Sequence, residues 1–237
     1  MALRKTICTI LILVWAFSAQ ARTYVVCVGI ADYPGTRGDL RISDNDAKTI
    51  HAIFARNSLI ESTLLLNQSA TILNICNEMR ALFARASADD QVILYFSGHG
   101  IPGGLCCYDG NLYYKTVYDI LKQCPAKNKM VFVDACFAGK MRNNSRHDTQ
   151  VKSSNVMFFL SSRTNELSQE TRFKNSLFTI YLERGLRGGA DVNLDKVITA
   201  REIYDFVHNG VIQDSHGKQH PVMWGKFNDN MTIIKWK

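Results

Sequence analysis

The 237 residues carry 28 Lys and Arg against 21 Asp and Glu, a formal charge of +7, with 46% apolar and 10% aromatic side chains. That apolar content excludes a disordered chain, and the length suits one sizeable α/β core and is short for two domains. The basic residues are scattered and not blocked, which argues against a nucleic-acid surface, and the charge falls to +5 once the segment carrying Arg4 and Lys5 is set aside.

The start of the chain has a different grammar from the remainder. Arg4 and Lys5 form a basic start, Thr6 to Phe17 is an apolar stretch too short to span a bilayer comfortably, and Ser18-Ala19-Gln20-Ala21 supplies small residues where an A-x-A cleavage site needs them. This is the three-part layout of a secretory signal peptide over 1–21, with the mature chain beginning near Arg22. The expectation is a secreted or periplasmic protein with no stable membrane span once the leader is gone.

After Arg22, Tyr24–Ile30 is a continuous β-branched run ending in turn residues, and Asp44–Asn57 is helical with Ala47, Ile50, Ile53 and Phe54 on one face. Ser62–Leu66 reads as a strand, Thr71–Arg85 as a helix striped by Ile72, Ile75, Cys76, Met79 and Leu82, and Gln91–Ser97 as a buried strand followed by a glycine-rich loop. Tyr114–Gln123 is then helical, Lys129–Asp134 and Val156–Ser161 are strands, and the polar, basic stretch between Gly139 and Ser154 is a long loop. Asn175–Arg187 and Ala200–Ile212 read as helices and Met231–Trp236 as a terminal strand. This alternation predicts an α/β fold: a mostly parallel sheet with helices on both faces.

Of seven cysteines, Cys8 leaves with the leader. The six others form no C-x-x-C pair and no zinc or disulfide spacing. Cys27 and Cys76 sit on apolar faces, as small hydrophobes do. For the adjacent Cys106 and Cys107, a disulfide and a plain loop lining both remain open.

Open parallel sheets place their sites at the carboxyl ends of the strands. Two strands end in unusual chemistry there: Ser97-Gly98-His99-Gly100, and Asp134-Ala135-Cys136-Phe137-Ala138-Gly139. A thiol near pH 7 is mostly protonated, and an imidazole within reach takes its proton or stabilises the thiolate, so His99 and Cys136 form a candidate catalytic dyad. The backbone N–H groups of Cys136 and Gly100 are candidates to bind the developing oxyanion. Residues two apart in an extended segment face the same side, which places Asp134 with Cys136 and Ser97 with His99.

These two signatures resemble those of the metacaspase and caspase-like cysteine peptidases. Val28-Gly29-Ile30-Ala31-Asp32-Tyr33, Asp44-Asn45-Asp46-Ala47 and Ser161-Ser162-Arg163-Thr164-Asn165-Glu166 fall in family order, so the resemblance runs over nearly all of 22–237. It implies a caspase-like three-layer sandwich with a six-stranded sheet and the His and Cys strands as neighbours. The Gln-Ala-Cys-x-Gly of animal caspases is absent, since Asp134 stands before Ala135; this speaks against cleavage after aspartate. In metacaspases acids near the matching positions form a pocket for Lys or Arg, which here maps to Asp46, Ser97 and Asp134. Asp44 and Asp46 also suit a helix start. The resemblance thus implies an endopeptidase acting on peptides or proteins at basic residues. Self-cleavage in the 139–154 loop, which carries Lys140, Arg142, Arg146 and Lys152, is a further expectation. The rival from another class is a catalytically silent protein of this fold that binds peptides or calcium. A nucleotide-binding domain is disfavoured, because Ala31-Asp32-Tyr33-Pro34-Gly35 offers no G-x-G-x-x-G.

No cofactor is needed for thiol chemistry, but calcium is a candidate ligand. Asp191, Asn193 and Asp195 stand at positions one, three and five of an EF-hand-like loop, with the Val197 carbonyl at seven and Glu202 at twelve. Lys196 occupies the sixth position, where glycine is usual, and a polar helix–helix turn reads equally well. Glu166 and Glu170, on the loop after the Val156 strand, read as surface acids or as an extension of basic-peptide recognition.

Overall fold

A computed structural model describes residues 20–35, 38–135, 156–162 and 174–236. Most of the leader, Cys136, the 139–154 segment, Glu166 and Glu170 lie outside the described residues.

The main sheet has six strands in the order β10-β8-β7-β3-β1-β2. They are β1 (Thr23–Gly29), β2 (Ile60–Leu66), β3 (Gln91–Ser97), β7 (Asn128–Asp134), β8 (Val156–Leu160) and β10 (Val222–Gly225). All neighbours run parallel except β10, which is antiparallel to β8. Strand β1 is buried throughout because its alternating side chains feed two cores. Tyr24, Val26 and Val28 face the layer of α2 (Ile72–Phe83) and α3 (Tyr114–Gln123). Val25 and Cys27 face α1 (Ser43–Phe54), α4 (Leu177–Arg184) and α5 (Ala200–Asp214). The result is the expected three-layer α/β sandwich.

The helix stripes landed where periodicity placed them: Ala47, Ile50, Ile53 and Phe54 are buried on α1, and Ile75, Cys76, Met79 and Leu82 on α2. Four features differ from the sequence reading. The glycine-rich stretch after β3 is a small antiparallel sheet of β4 (Gly100–Ile101), β5 (Gly104–Cys107) and β6 (Gly110–Tyr113). Strands of two to four residues are too short to display a two-residue period. The sixth strand of the main sheet is β10, again only four residues long. The terminal strand, β11 (Thr232–Lys235), pairs instead with β9 (Val197–Thr199) in a separate ribbon. The segment before β11 is held there because the carbonyls of Met231 and Asp229 accept the N–H groups of Ala200 and Arg201, which a helix start leaves without partners. The helix expected over 175–187 ends at Arg184 and passes into a wide turn over Gly185–Gly189, where Gly188 has φ 109°.

Among the described residues no helix is long and apolar enough to cross a membrane.

Candidate active site

Register brings the candidate residues to one level. Gly29 pairs with Ser97, and Ser97 pairs with Asp134, so β1, β3 and β7 end on a common rung. The Gly98 N–H donates to the Asp134 carbonyl at 3.1 Å, closing that rung. His99 follows Ser97 by two residues, and Cys136 follows Asp134 by two. Ala135, the last described residue before Cys136, is buried, and its N–H donates to Ser161 Oγ at 3.2 Å. The position of Cys136 itself, and with it the proposed oxyanion N–H, falls outside the described residues.

His99 is half-buried and firmly oriented. Its Nε2 lies 2.8 Å from the Gly38 carbonyl oxygen. A carbonyl can only accept, so Nε2 carries the proton and Nδ1 is left with the lone pair of a base. The backbone holds this ring in place: the His99 N–H donates to Tyr33 Oη at 2.8 Å, Tyr33 Oη donates to the Cys106 carbonyl at 3.1 Å, and the Cys106 N–H donates to the His99 carbonyl at 2.9 Å. The Tyr33 and His99 rings meet at 4.9 Å between centroids. Gly98 is required by this packing, since a Cβ there would lie 2.7 Å from Tyr33 Oη. Gly100 opens β4 next to His99, paired with Leu105.

The three residues mapped to a cation pocket do come together. Ser97 Oγ donates to Asp46 Oδ2 at 3.0 Å, in a site where Ser97, Asp46 and Asp134 are all buried. Asp46 also accepts from Asn175 Nδ2 at 3.0 Å and from the Ser176 N–H at 2.9 Å. The Ser176 hydroxyl donates to Asp134 Oδ2, which Thr179 Oγ1 also reaches at 3.0 Å. Thr179 Oγ1 and Tyr95 Oη then share a hydrogen bond of 2.6 Å. Burial, followed by the neighbouring Asp134 charge, pushes the Asp46 carboxyl up to about 7 against the pull of these donors. The same two carboxylates, after burial itself, raise the Tyr95 phenol.

Asp46 therefore does not cap α1. That helix has no side-chain cap; Asp44 pairs with Lys48 at 2.6 Å and Asp46 turns inward to the sheet. Tyr33, Asn175, Ser176 and Thr179 were missed as site residues by sequence reasoning. A signal existed for Ser176: a serine just ahead of an apolar helical run is an N-cap pattern, and its side chain does accept the Thr179 N–H. Its second bond, to Asp134, depends on packing between α4 and β7 and has no sequence mark.

The calcium candidates form a turn closed by its own hydrogen bonds. Asp191 accepts the N–H groups of Asp195 and Lys196, Asn193 accepts that of Asp195, and Asp195 accepts that of Val197. Lys196, in the place of the usual glycine, takes φ 64°. Glu202 Oε2 is 2.7 Å from Thr199 Oγ1, within a capping box at the start of α5. Among the described residues no group of three or more His, Cys, Asp or Glu is placed to hold a metal ion. Cys27, Cys76, Cys106, Cys107 and Cys124 carry free thiols.

The sequence matches the model of the peptidase C14 caspase domain over residues 22–231. Among solved structures, caspase-1 of Spodoptera frugiperda is similar with a TM-score of 0.70 at 15% identity, covering 91% of this chain and 90% of that one. A protein of Geobacter sulfurreducens is similar with a TM-score of 0.66 at 20% identity, covering 87% and 94%. At such identities these likenesses speak to the fold. No curated protein matches the sequence.

Proposed function

The chain belongs to the caspase domain family of cysteine peptidases, and from that premise we propose that it is an exported endopeptidase cutting after arginine or lysine. Cys136 is the nucleophile and His99 the general acid/base. The Cys136 thiol passes its proton to Nδ1 of His99, and the thiolate attacks the scissile carbonyl. The imidazolium then protonates the leaving amine, and water hydrolyses the thioester with His99 again as base. The N–H groups of Gly100 and Cys136 are assigned to the oxyanion.

The observation that carries the specificity is a pair of buried carboxylates: Asp134, on the rung from which His99 departs, and Asp46 of α1, which accepts a hydrogen bond from Ser97 of that rung. Among the described residues, the hydrogen-bond donors to Asp46 are neutral groups, so a guanidinium or ammonium would supply the charge that this buried acid favours. An aspartyl side chain would meet repulsion instead.

Fluorogenic peptides differing only in the residue before the cut test this reading. Arginyl and lysyl substrates should be cleaved and aspartyl ones left, and Cys136→Ala and His99→Ala should each remove nearly all turnover while the fold persists. Asp134→Ala should lower kcat/KM for arginyl substrates at least about 30-fold, the loss from leaving a buried cation unpaired. Preferred cleavage after aspartate would refute the pocket assignment, and a His99→Ala enzyme with most of its turnover would refute the dyad.

A further inference from the structure

At the opposite end of the sheet from His99, the first residue of the expected mature chain sits on a buried carboxylate. The Arg22 backbone nitrogen lies 2.6 Å from Asp90 Oδ1, and Asp90 is only 7% exposed. The other carboxylate oxygen accepts the Ser87 N–H at 2.7 Å and the Ser87 hydroxyl at 2.9 Å, which fixes its orientation. The Arg22 carbonyl is held in turn by the Gln91 N–H at 2.9 Å. Thr23, the next residue, is buried as the first rung of β1, whereas Gln20, Ala21 and Arg22 are exposed along an open cleft of ≈ 410 Å³. The Ala21–Arg22 bond is thus the last one outside the packed chain.

We propose that Asp90 is a receptor for the α-ammonium group created at Arg22 when the leader is removed, so that leader cleavage itself locks β1 into the sheet. Cleavage adds water across the Ala21–Arg22 amide: the leader leaves with the Ala21 carboxylate and Arg22 keeps the amine, which takes up a proton. The same nitrogen then carries a full positive charge and three donors in place of one neutral N–H. A charge-assisted hydrogen bond is about twice as strong as a neutral one, and here the nitrogen is already positioned, so no ordering cost is added. The precursor therefore folds less tightly than its product. This inference rests on the proposed export of the chain and is independent of its peptidase chemistry.

The surroundings suit such a pair. The ionisable groups near Asp90 are the Arg22 guanidinium, the Cys124 thiol with Lys129 beside it, and Asp89, which pairs with Lys127 at 3.3 Å. Burial would raise the Asp90 carboxyl, but the Arg22 and Ser87 N–H groups, the Ser87 hydroxyl and the Arg22 guanidinium together hold it below its usual value, so it is ionised at neutral pH. An amine facing it titrates above the ordinary value of about 7.7–8.0. The stabilisation is then full below that range and is lost as pH rises through the raised value; at the acid end it goes as Asp90 takes up a proton.

The experiment begins with the full chain exported by a secreting host and the sequence of its new N-terminus, which should start at Arg22; a different start, or an intact leader, overturns the proposal. The exported protein is then compared with its Nα-acetylated form, each with Asp90 and with Asp90→Asn. The free amine should raise Tm by about 3–6 °C at pH 7, and that advantage should vanish in Asp90→Asn and above about pH 10. An equal advantage in both backgrounds, or none in either, refutes the pairing. Should Asp90→Asn fail to fold, NMR titration of the amine in the unaltered protein decides: a value within about 7.7–8.0 refutes it and a raised one supports it.

Discussion

Two carboxylates in one buried network ionise at a cost, and burial together with the Asp134 charge raises the Asp46 carboxyl. Its folded value lies near 7, against about 3.9 in an unfolded chain, so the folded state holds this proton longer. The resulting stabilisation is full below about pH 4 and is lost as pH rises through about 7, a change of a few kcal/mol at about 1.4 kcal/mol per unit. Asp46→Asn removes this titration. The amide oxygen keeps the Ser176 N–H and Asn175 bonds, while the amide nitrogen faces Ser97 Oγ, a hydroxyl that can turn and accept. We therefore expect Asp46→Asn to melt above the wild type at pH 8 and close to it at pH 4.5, by calorimetry, and to cleave arginyl peptides more slowly. A variant less stable than wild type at pH 8 would assign Asp46 a structural role. The histidine is a parallel case: His99 was legible because glycines flank it after an apolar run, but its tautomer is set by the Gly38 carbonyl, 61 residues earlier in the chain.

At the level of elements, the position of Asp46 follows from the contact between α1 and β1. A Cβ on Gly29 would stand 2.5 Å from the Ser43 carbonyl and 2.6 Å from Ala47 Cβ, so only glycine lets the helix start come down on the strand end. The loop between the turn after α4 and the start of α5 is a second case. Its acids occupy EF-hand spacing, yet they bind backbone N–H groups, and Glu202 is engaged with Thr199. Calcium would have to draw the Glu202 carboxylate off that cap to complete its ligands. If the loop takes the ion, millimolar calcium raises Tm over a chelator control by mass action, and Glu202→Gln shrinks the shift. A Tm indifferent to calcium leaves the loop as a capped turn, in which Glu202→Gln changes Tm little with or without the ion, because glutamine also closes a capping box.

At the level of the whole molecule, the proposed nucleophile, Cys136, is followed closely in sequence by Lys140, Arg142, Arg146 and Lys152. If the proposed specificity for basic side chains holds, these bonds are linked to Cys136 within the same chain, at high effective concentration. Purified wild type should therefore convert to two fragments with new termini after these residues, read by mass spectrometry, while Cys136→Ala stays whole. Cutting of both at equal rates would assign the nicks to another protease; an intact but active wild type would show that no such maturation is needed.

The layers, the strand ends and the dyad candidates are legible in the sequence because each is written in local runs: Tyr24–Ile30 and Gln91–Ser97 as apolar strands, α2 as a stripe, and His99 and Cys136 in short signatures. Local runs report burial and period, and burial and period fix which face of an element is covered. Folding was needed to reveal the contacts between partners far apart in the chain. Asp46, Ser97, Asp134 and Ser176 become one network through a shared rung and two helix starts, and β11 leaves the main sheet because its approach caps α5. Hydrogen bonds of this kind depend on the distance between elements that the chain brings together only on folding, and no residue carries that distance in its own identity.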